Sequence, residues 1–193
     1  MKLTYKDWPL GVVSDIHNHI AQLQNIFAAN KDIKSWICLG DVVDFMDPAD
    51  NRTTMDWWIK NAANIPTIRG NHEEVVCSEM FNITFGHQEI IRKQFVNELI
   101  IEFPNKQVVY AYHNKPKCNW SFIDKNKYTL REYIDDFANV PDDTRAILIG
   151  HNHSQFILNF DSQEAFPAIW SVGAAKDGAY AVIDEKGIEM KRL

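Results

Sequence analysis

Short apolar runs alternate with helical patterns through the first half of the chain, and strand-like runs dominate the second. Leu10–Val13 is a continuous apolar run of strand length, which predicts a buried strand. His19–Asn30 then sets Ile20, Leu23, Ile26 and Phe27 at helical spacing, the apolar stripe of an amphipathic helix. The pattern next predicts a strand at Ser35–Leu39, a helix at Thr53–Ala63, a short strand at Pro66–Ile68 and a helix at His72–Met80. His87–Asn97 is a further helix, with Ile90, Ile91 and Phe95 on its apolar face. Leu99–Phe103 and Gln107–Tyr112 predict a hairpin across Pro104, Asn105 and Lys106, and Leu130–Phe137 predicts a helix. Strands follow at Ala146–Ile149, Gln155–Phe160, Ala168–Val172, Ala179–Ile183 and Ile188–Lys191, the last two joined by the turn Asp184–Gly187. Alternation of β and α followed by a run of strands predicts an α/β fold with two sheets and helices outside them.

The chain has 193 residues, 46% hydrophobic and 24% charged, enough for a packed core and typical of a globular protein. It carries no internal repeat, low-complexity tract or Pro/Gly/Ser linker, so a single domain over residues 1–193 is the simplest organisation. A net charge of −6 leaves no polybasic stripe for nucleic acid or anionic lipid and disfavours both partners. No run approaches the roughly 18 apolar residues of a membrane span, and the N-terminus has no signal-peptide pattern. Cys38, Cys77 and Cys118 are odd in number and form no Cys-x-x-Cys pair, against a disulfide framework and against a zinc ribbon. A cytoplasmic location is the expectation. Oligomeric state has no signature here.

The chemistry lies in polar residues where strands stop, the edge at which α/β proteins gather their sites. Five such places occur. Asp15-Ile16-His17 follows the first strand, and residues two apart in extended chain share a side, so Asp15 and His17 can reach one point. Gly40-Asp41-Val42-Val43-Asp44 follows the second, its glycine permitting a tight turn that aims Asp41 inward. Gly70-Asn71-His72-Glu73 follows the third predicted strand, and neighbouring side chains point apart, giving Asn71 and His72 different tasks. His113 ends a strand, and Gly150-His151-Asn152-His153 ends another with its two histidines able to converge. One buried histidine or aspartate is ordinarily a hydrogen-bonded core residue. So many charged and imidazole groups together need a strong partner, and divalent cations are the natural one. Oxygen and nitrogen ligands without thiolate suit Mn²⁺, Fe or Zn²⁺ and do not suit a structural zinc site.

The ordered series Asp-x-His, Gly-Asp-x-x-Asp, Gly-Asn-His-Glu, His and Gly-His-x-His, running from Asp15 to His153, resembles the calcineurin-like metallophosphoesterases. The late Ser171-Val172-Gly173 with Asp177-Gly178 resembles the small single-domain phosphodiesterase branch. The resemblance implies a four-layer αββα sandwich of two mixed sheets flanked by helices. It implies two divalent cations, Mn²⁺ foremost, with Fe, Zn²⁺, Ni²⁺ or Mg²⁺ as alternatives. Asp15, His17, Asp41 and His153 would hold one; Asp41, Asn71, His113 and His151 would hold the other, with Asp41 bridging. His72, with Asn71, would face the substrate, a small-molecule or nucleotide phosphate ester, and Asp44 would orient His72. The implied reaction is phosphodiester or phosphomonoester hydrolysis by a metal-activated water, with His72 as general acid or phosphate binder.

Two departures from the family pattern bear on substrate. Phe45 stands where the family's protein phosphatases carry arginine, and His113 is followed by Asn114-Lys115-Pro116 where glycine is common. The first counts against a protein phosphatase. The chain's length and acidity count against a nuclease. A metal-binding scaffold without catalysis, as in the family's retromer subunit, is opposed by the presence of His72 and the full ligand set. Trp120 or Phe122 can wall a site for a nucleobase or other flat leaving group, Lys115 and Lys117 can attract a phosphate but read first as solvated loop lysines, and His19 and His87 match no motif and read as ordinary surface or helix residues. Trp57 and Trp58 are adjacent on a helix and cannot share one face.

Overall fold

The computed structural model describes residues 1–4, 8–103, 107–118, 120–141, 144–160 and 166–193. Its elements, in chain order, are β1 (Lys2–Thr4), β2 (Leu10–Val13), α1 (Ile20–Ala29), β3 (Ser35–Cys38), α2 (Asn51–Asn61), α3 (Asn71–Ser78), α4 (Phe85–Gln94), β4 (Glu98–Glu102), β5 (Val108–Tyr112), α5 (Leu130–Asp136), β6 (Ala146–Ile149), β7 (Phe156–Leu158), β8 (Ile169–Ser171), β9 (Ala179–Ile183) and β10 (Ile188–Arg192). Short 3-10 turns occupy Pro48–Asp50 and Ala175–Asp177.

The strands form a six-stranded sheet, ordered β1-β4-β5-β6-β8-β7, and a four-stranded sheet, ordered β10-β9-β2-β3. Both mix parallel and antiparallel pairs. The alternation of side chains along each strand builds the layers. Leu10, Val12, Ile37 and Leu39 face Leu99, Ile101, Val109, Ala111 and Leu148 in a core between the sheets. Val13, Trp36 and Cys38 point the other way, under α1 to α4, where they meet Leu23, Ile26, Met55, Trp58, Val76 and Ile91. On the far side Tyr112, Ile147, Ile149 and Ile169 pack under Tyr133 and Phe137 of α5. This is the expected four-layer αββα arrangement.

Helix starts follow their caps. Thr84 opens α4: its Oγ1 accepts from the His87 N–H at 3.2 Å, and His87 Nδ1 accepts from the Thr84 N–H at 3.3 Å. His87 is thus a buried capping residue, with Nε2 2.9 Å from Asp56, and not a surface one. Thr129 opens α5 in the same way with Glu132. Trp58 is buried, and its neighbour Trp57 lies half-buried against the same core.

Pro66–Ile68 is not a strand. Thr67 bridges only to Cys38, and Ile68 only to Val96, because the segment crosses between neighbours and Pro66 has no N–H to give. β1 has no sequence signal, since Leu3 is its one apolar residue, yet it pairs in parallel with β4. β4 and β5 pair antiparallel as expected, while the turn residues Pro104, Asn105 and Lys106 lie outside the described residues. Among the described residues, no helix is long and apolar enough to cross a membrane.

Candidate metal centre

Strand register brings the polar motifs together. β2 and β3 are parallel with Val13 opposite Cys38, so Asp15 and Asp41 leave the sheet at one edge. The backbone locks them there: the N–H of Asp15 donates to Gly40 O at 2.9 Å, and those of Ile16 and His17 donate to Asp41 O at 2.8 and 2.9 Å. In the other sheet β5 and β6 are parallel with Tyr112 opposite Ile149, and the Gly150 N–H donates to His113 O at 2.8 Å. The two edges meet across the inter-sheet core. All seven predicted ligands converge, Asn71 from the first turn of α3 and the others from loops at the ends of the two sheets.

On one side are Asp15, His17 and His153. His17 Nε2 lies 3.0 Å from His153 Nε2, and Asp15 Oδ1 lies 3.4 Å from His153 Nε2 and 3.8 Å from His17 Nε2. On the other side Asn71 Oδ1 lies 2.9 Å from both His113 Nε2 and His151 Nδ1. Asp41 Oδ2 stands between, 3.2 Å from His113 Nε2 and 3.8 Å from His17 Nε2. Its other oxygen accepts from the His72 N–H at 3.0 Å, leaving Oδ2 aimed at the centre. The His113 Nδ1 is held against Leu39 O at 2.8 Å, which orients Nε2 inward. His72 Nε2 reaches within 4.0 Å of Asp41 Oδ2. His72 Nδ1 lies 3.1 Å from Asp44 Oδ1 and 3.2 Å from the Phe45 amide nitrogen, so carboxylate and N–H compete for it.

This arrangement is held under strain. Asp15, His17, Asp41, His151 and His153 all have left-handed backbone, with φ of 53°, 44°, 54°, 59° and 54°. Such conformations cost about 1–3 kcal/mol each and persist where the surroundings over-determine them. Gly40, at φ 110°, turns the chain so that Asp41 faces inward, as its sequence position predicts. Gly70 serves by size: a Cβ there would lie 2.0 Å from Asp41 Oδ1.

The buried groups fit divalent cations. Asp15 Oδ1 faces the centre and is buried without a hydrogen-bond partner among the described residues. The sets Asp15–His17–His153, His17–Asp41–His72 and Asp41–His113–His151 each offer ligand atoms within 4.8 Å of one another, and none is a thiolate. The electrostatics agree. Burial works against the Asp15 anion, yet the contacts from His153 and His17 hold its carboxyl below the usual range. Burial also favours neutral His113, but Asp41 beside it wins and pushes it up to about 10. Protons therefore stabilise the carboxylates where cations would.

The family profile for calcineurin-like phosphoesterase matches residues 9–182, nearly the whole chain. The chain belongs to the calcineurin-like phosphoesterase family. As a member it is a metal-binding hydrolase of phosphate esters, in a family of dinuclear, metal-dependent enzymes. No curated protein matches its sequence. The fold is similar to that of a metallophosphoesterase from Sphaerobacter thermophilus, with TM-score 0.73 at 17% identity, over 96% of this chain and 88% of that one. It is also similar to an archaeal phosphodiesterase, with TM-score 0.57 at 15% identity over 96% of this chain and 100% of that one. The phosphoesterase Yfce from E. coli gives TM-score 0.55 at 16% identity over 92% and 89%.

Two supports of the calcineurin-like centre have roles that motif reading does not give: Glu73, which closes the Gly-Asn-His-Glu motif, and Asn51, which lies outside every motif. The buried Glu73 carboxylate accepts four backbone N–H groups, from Asp41 at 2.8 Å, Val42 at 2.7 Å, Val43 at 3.1 Å and Gly70 at 2.8 Å. It ties the Asp41 loop to the start of α3. Burial, then the Asp41 charge, pushes Glu73 up to about 7, against the pull of the Val43 and Gly70 N–H groups. Its sequence signal is an acid three residues after a helix N-cap. Asn51 is fully buried and holds the Asp44 backbone from both sides, accepting its N–H at 2.8 Å and donating to its carbonyl at 2.9 Å. It reads in sequence only as a polar residue at a helix start. Lys115 and Lys117 are not free loop cations: Lys115 pairs with Asp136 at 2.8 Å, and Lys117 donates to Asp135 O at 3.0 Å.

Proposed function

We infer that this chain is a two-metal phosphoesterase that prefers phosphodiesters, with Mn²⁺ the first candidate cation. The observation that carries the reading is the convergence of seven oxygen and nitrogen ligands beside the inward-facing His72. Asp15, His17, Asp41 and His153 would hold one cation, and Asp41, Asn71, His113 and His151 the other. Bound divalent cations supply a nucleophile at neutral pH and offset charge on the phosphoryl oxygens.

The protein's part is positioning and proton supply. The buried, strained ligand loops are set before substrate arrives. His72 Nε2 is placed to give a proton to the departing ester oxygen or to bind a phosphoryl oxygen. Burial, with the neighbouring His17 and His113, holds the His72 imidazole below its usual range in the free centre, against the pull of Asp41 and Asp44. An anionic phosphoryl group beside Nε2 adds to that upward pull, so the proton is best held when substrate is bound. Asp44 keeps the ring from rotating. The diester preference rests on Phe45, whose ring lies 4.5 Å from His72 where an arginine would grip the additional charge of a monoester.

His72→Asn tests the assignment. Turnover should fall about 100-fold or more, the scale of a lost general acid, while metal content stays near wild type. Loss of metal in this variant would make His72 a ligand and overturn its role.

A further inference from the structure

The mouth of the metal centre is apolar where a charged substrate would be expected to meet charge. Trp120, Phe122 and Met46 are 50%, 67% and 79% exposed, and Phe45 is half-buried beside them. Scattered exposed hydrophobics need no explanation, but a cluster around a site does. Phe45 and Phe122 touch the site directly, and Trp120 reaches it through Phe45. Phe45 packs on His72, and Trp120 meets Phe45 edge-on at 6.0 Å between ring centroids. Phe122 stacks on His151 at 4.5 Å with 25° between the planes. One aromatic wall thus stands on the His72 side and one on the His151 side.

The collar is held in register with the ligands. Asn114, next to His113, is fully buried, and its amide donates to Cys118 O at 3.4 Å and to Ser121 O. Asn152, between His151 and His153, donates to Ile123 O at 2.6 Å and accepts the Ile123 N–H at 3.3 Å. The loops that carry the histidines therefore clamp the segment that carries Trp120 and Phe122, which gives the rings fixed positions before substrate binds. Trp120 also walls a cleft of about 300 Å³ that runs past Lys115 and Lys117, at the lower end of small-ligand pockets. Both ammonium groups have partners on α5, and Glu74 lines the same cleft, so a second phosphate is disfavoured there.

We propose that Phe45, Trp120 and Phe122 form an aromatic collar that selects phosphodiesters whose retained ester arm, the one not expelled as leaving group, carries a flat, nucleobase-like ring, that ring stacking on Trp120. The proposal rests on the phosphoesterase reading and names its substrate class. Asn114 and Asn152 are positioning residues for the collar.

The test compares two diesters that lose the same p-nitrophenolate: thymidine 5′-p-nitrophenyl phosphate and methyl p-nitrophenyl phosphate. The Mn²⁺-loaded protein should show higher kcat/KM for the thymidine ester. Trp120→Ala should lower the ratio of the two kcat/KM values about tenfold, the scale of one lost base-stacking contact, and Phe122→Ala should lower it less. Trp120→Phe should keep most of it. Turnover of the methyl ester reports that each variant is folded and loaded. An unchanged ratio in both alanine variants, or no preference in wild type while the methyl ester is hydrolysed, would overturn the collar alone. Failure of wild type to hydrolyse either ester with any divalent metal would overturn the phosphoesterase reading and the collar with it.

Discussion

Glu73→Gln perturbs the centre without replacing a ligand. The Glu73 oxygens are shared in pairs: Oε1 takes the Val42 and Val43 N–H groups, and Oε2 takes those of Asp41 and Gly70. A glutamine can keep one pair with its carbonyl oxygen, but its NH₂ then faces two N–H donors. Each buried N–H left without an acceptor costs about 1–3 kcal/mol, so two cost about 2–6 kcal/mol. Removing the charge next to Asp41 relieves repulsion and offsets part of this, which places the expected loss in the lower half of that range. Against a domain stability of about 5–15 kcal/mol, the variant should fold but with a visibly lower urea midpoint. The assay is urea unfolding followed by far-UV circular dichroism, in chelator and again with saturating Mn²⁺, beside calorimetric metal binding. Metal affinity should fall too, because the Asp41 loop loses the anchor that aims its carboxylate. A stability change below about 0.5 kcal/mol, within the usual scatter of surface substitutions, with wild-type metal binding, would refute the reasoning.

Gly70→Ala should reduce bound metal while leaving the far-UV spectrum intact, since its Cβ would meet Asp41 Oδ1 at 2.0 Å and displace the central carboxylate; elemental analysis of the purified variant checks this. Metal uptake should release protons at pH 7. Asp41 keeps His113 protonated up to about 10 in the metal-free centre, and a ligating imidazole must be neutral, so affinity should weaken as pH falls. Mn²⁺ titration in a weakly buffered indicator solution measures the protons, and no release would contradict the assignment of His113 as a ligand.

The sequence carried the layers and the ligands because both obey simple periods. Short apolar runs along β2, β3, β5 and β6 marked the strands, and the polar motifs stood at their ends, so the register of one sheet aligned Asp15 with Asp41 and that of the other aligned His113 with His151. Elements held by pairing and not by burial were silent. β1 is an edge strand with one apolar residue, and Pro66–Ile68 offers apolar residues but only lone bridges. The left-handed backbone at five ligands was also invisible, since none of the five is glycine. Glu73 was legible as a helix-start acid but not as the acceptor of three N–H groups from a loop some thirty residues earlier in the chain. Phe45 was legible only as the absence of an arginine; its packing on His72 and Trp120 came from the tertiary fold.

The central claim is metal-dependent cleavage of a phosphodiester. Its most direct test strips the protein with chelator and resupplies Mn²⁺, Ni²⁺, Zn²⁺ or Mg²⁺ in turn, with bis-p-nitrophenyl phosphate and p-nitrophenyl phosphate as parallel substrates. Turnover restored by metal, and faster on the diester than on the monoester, is the predicted result. A protein that binds two ions yet hydrolyses neither substrate with any metal would contradict the account.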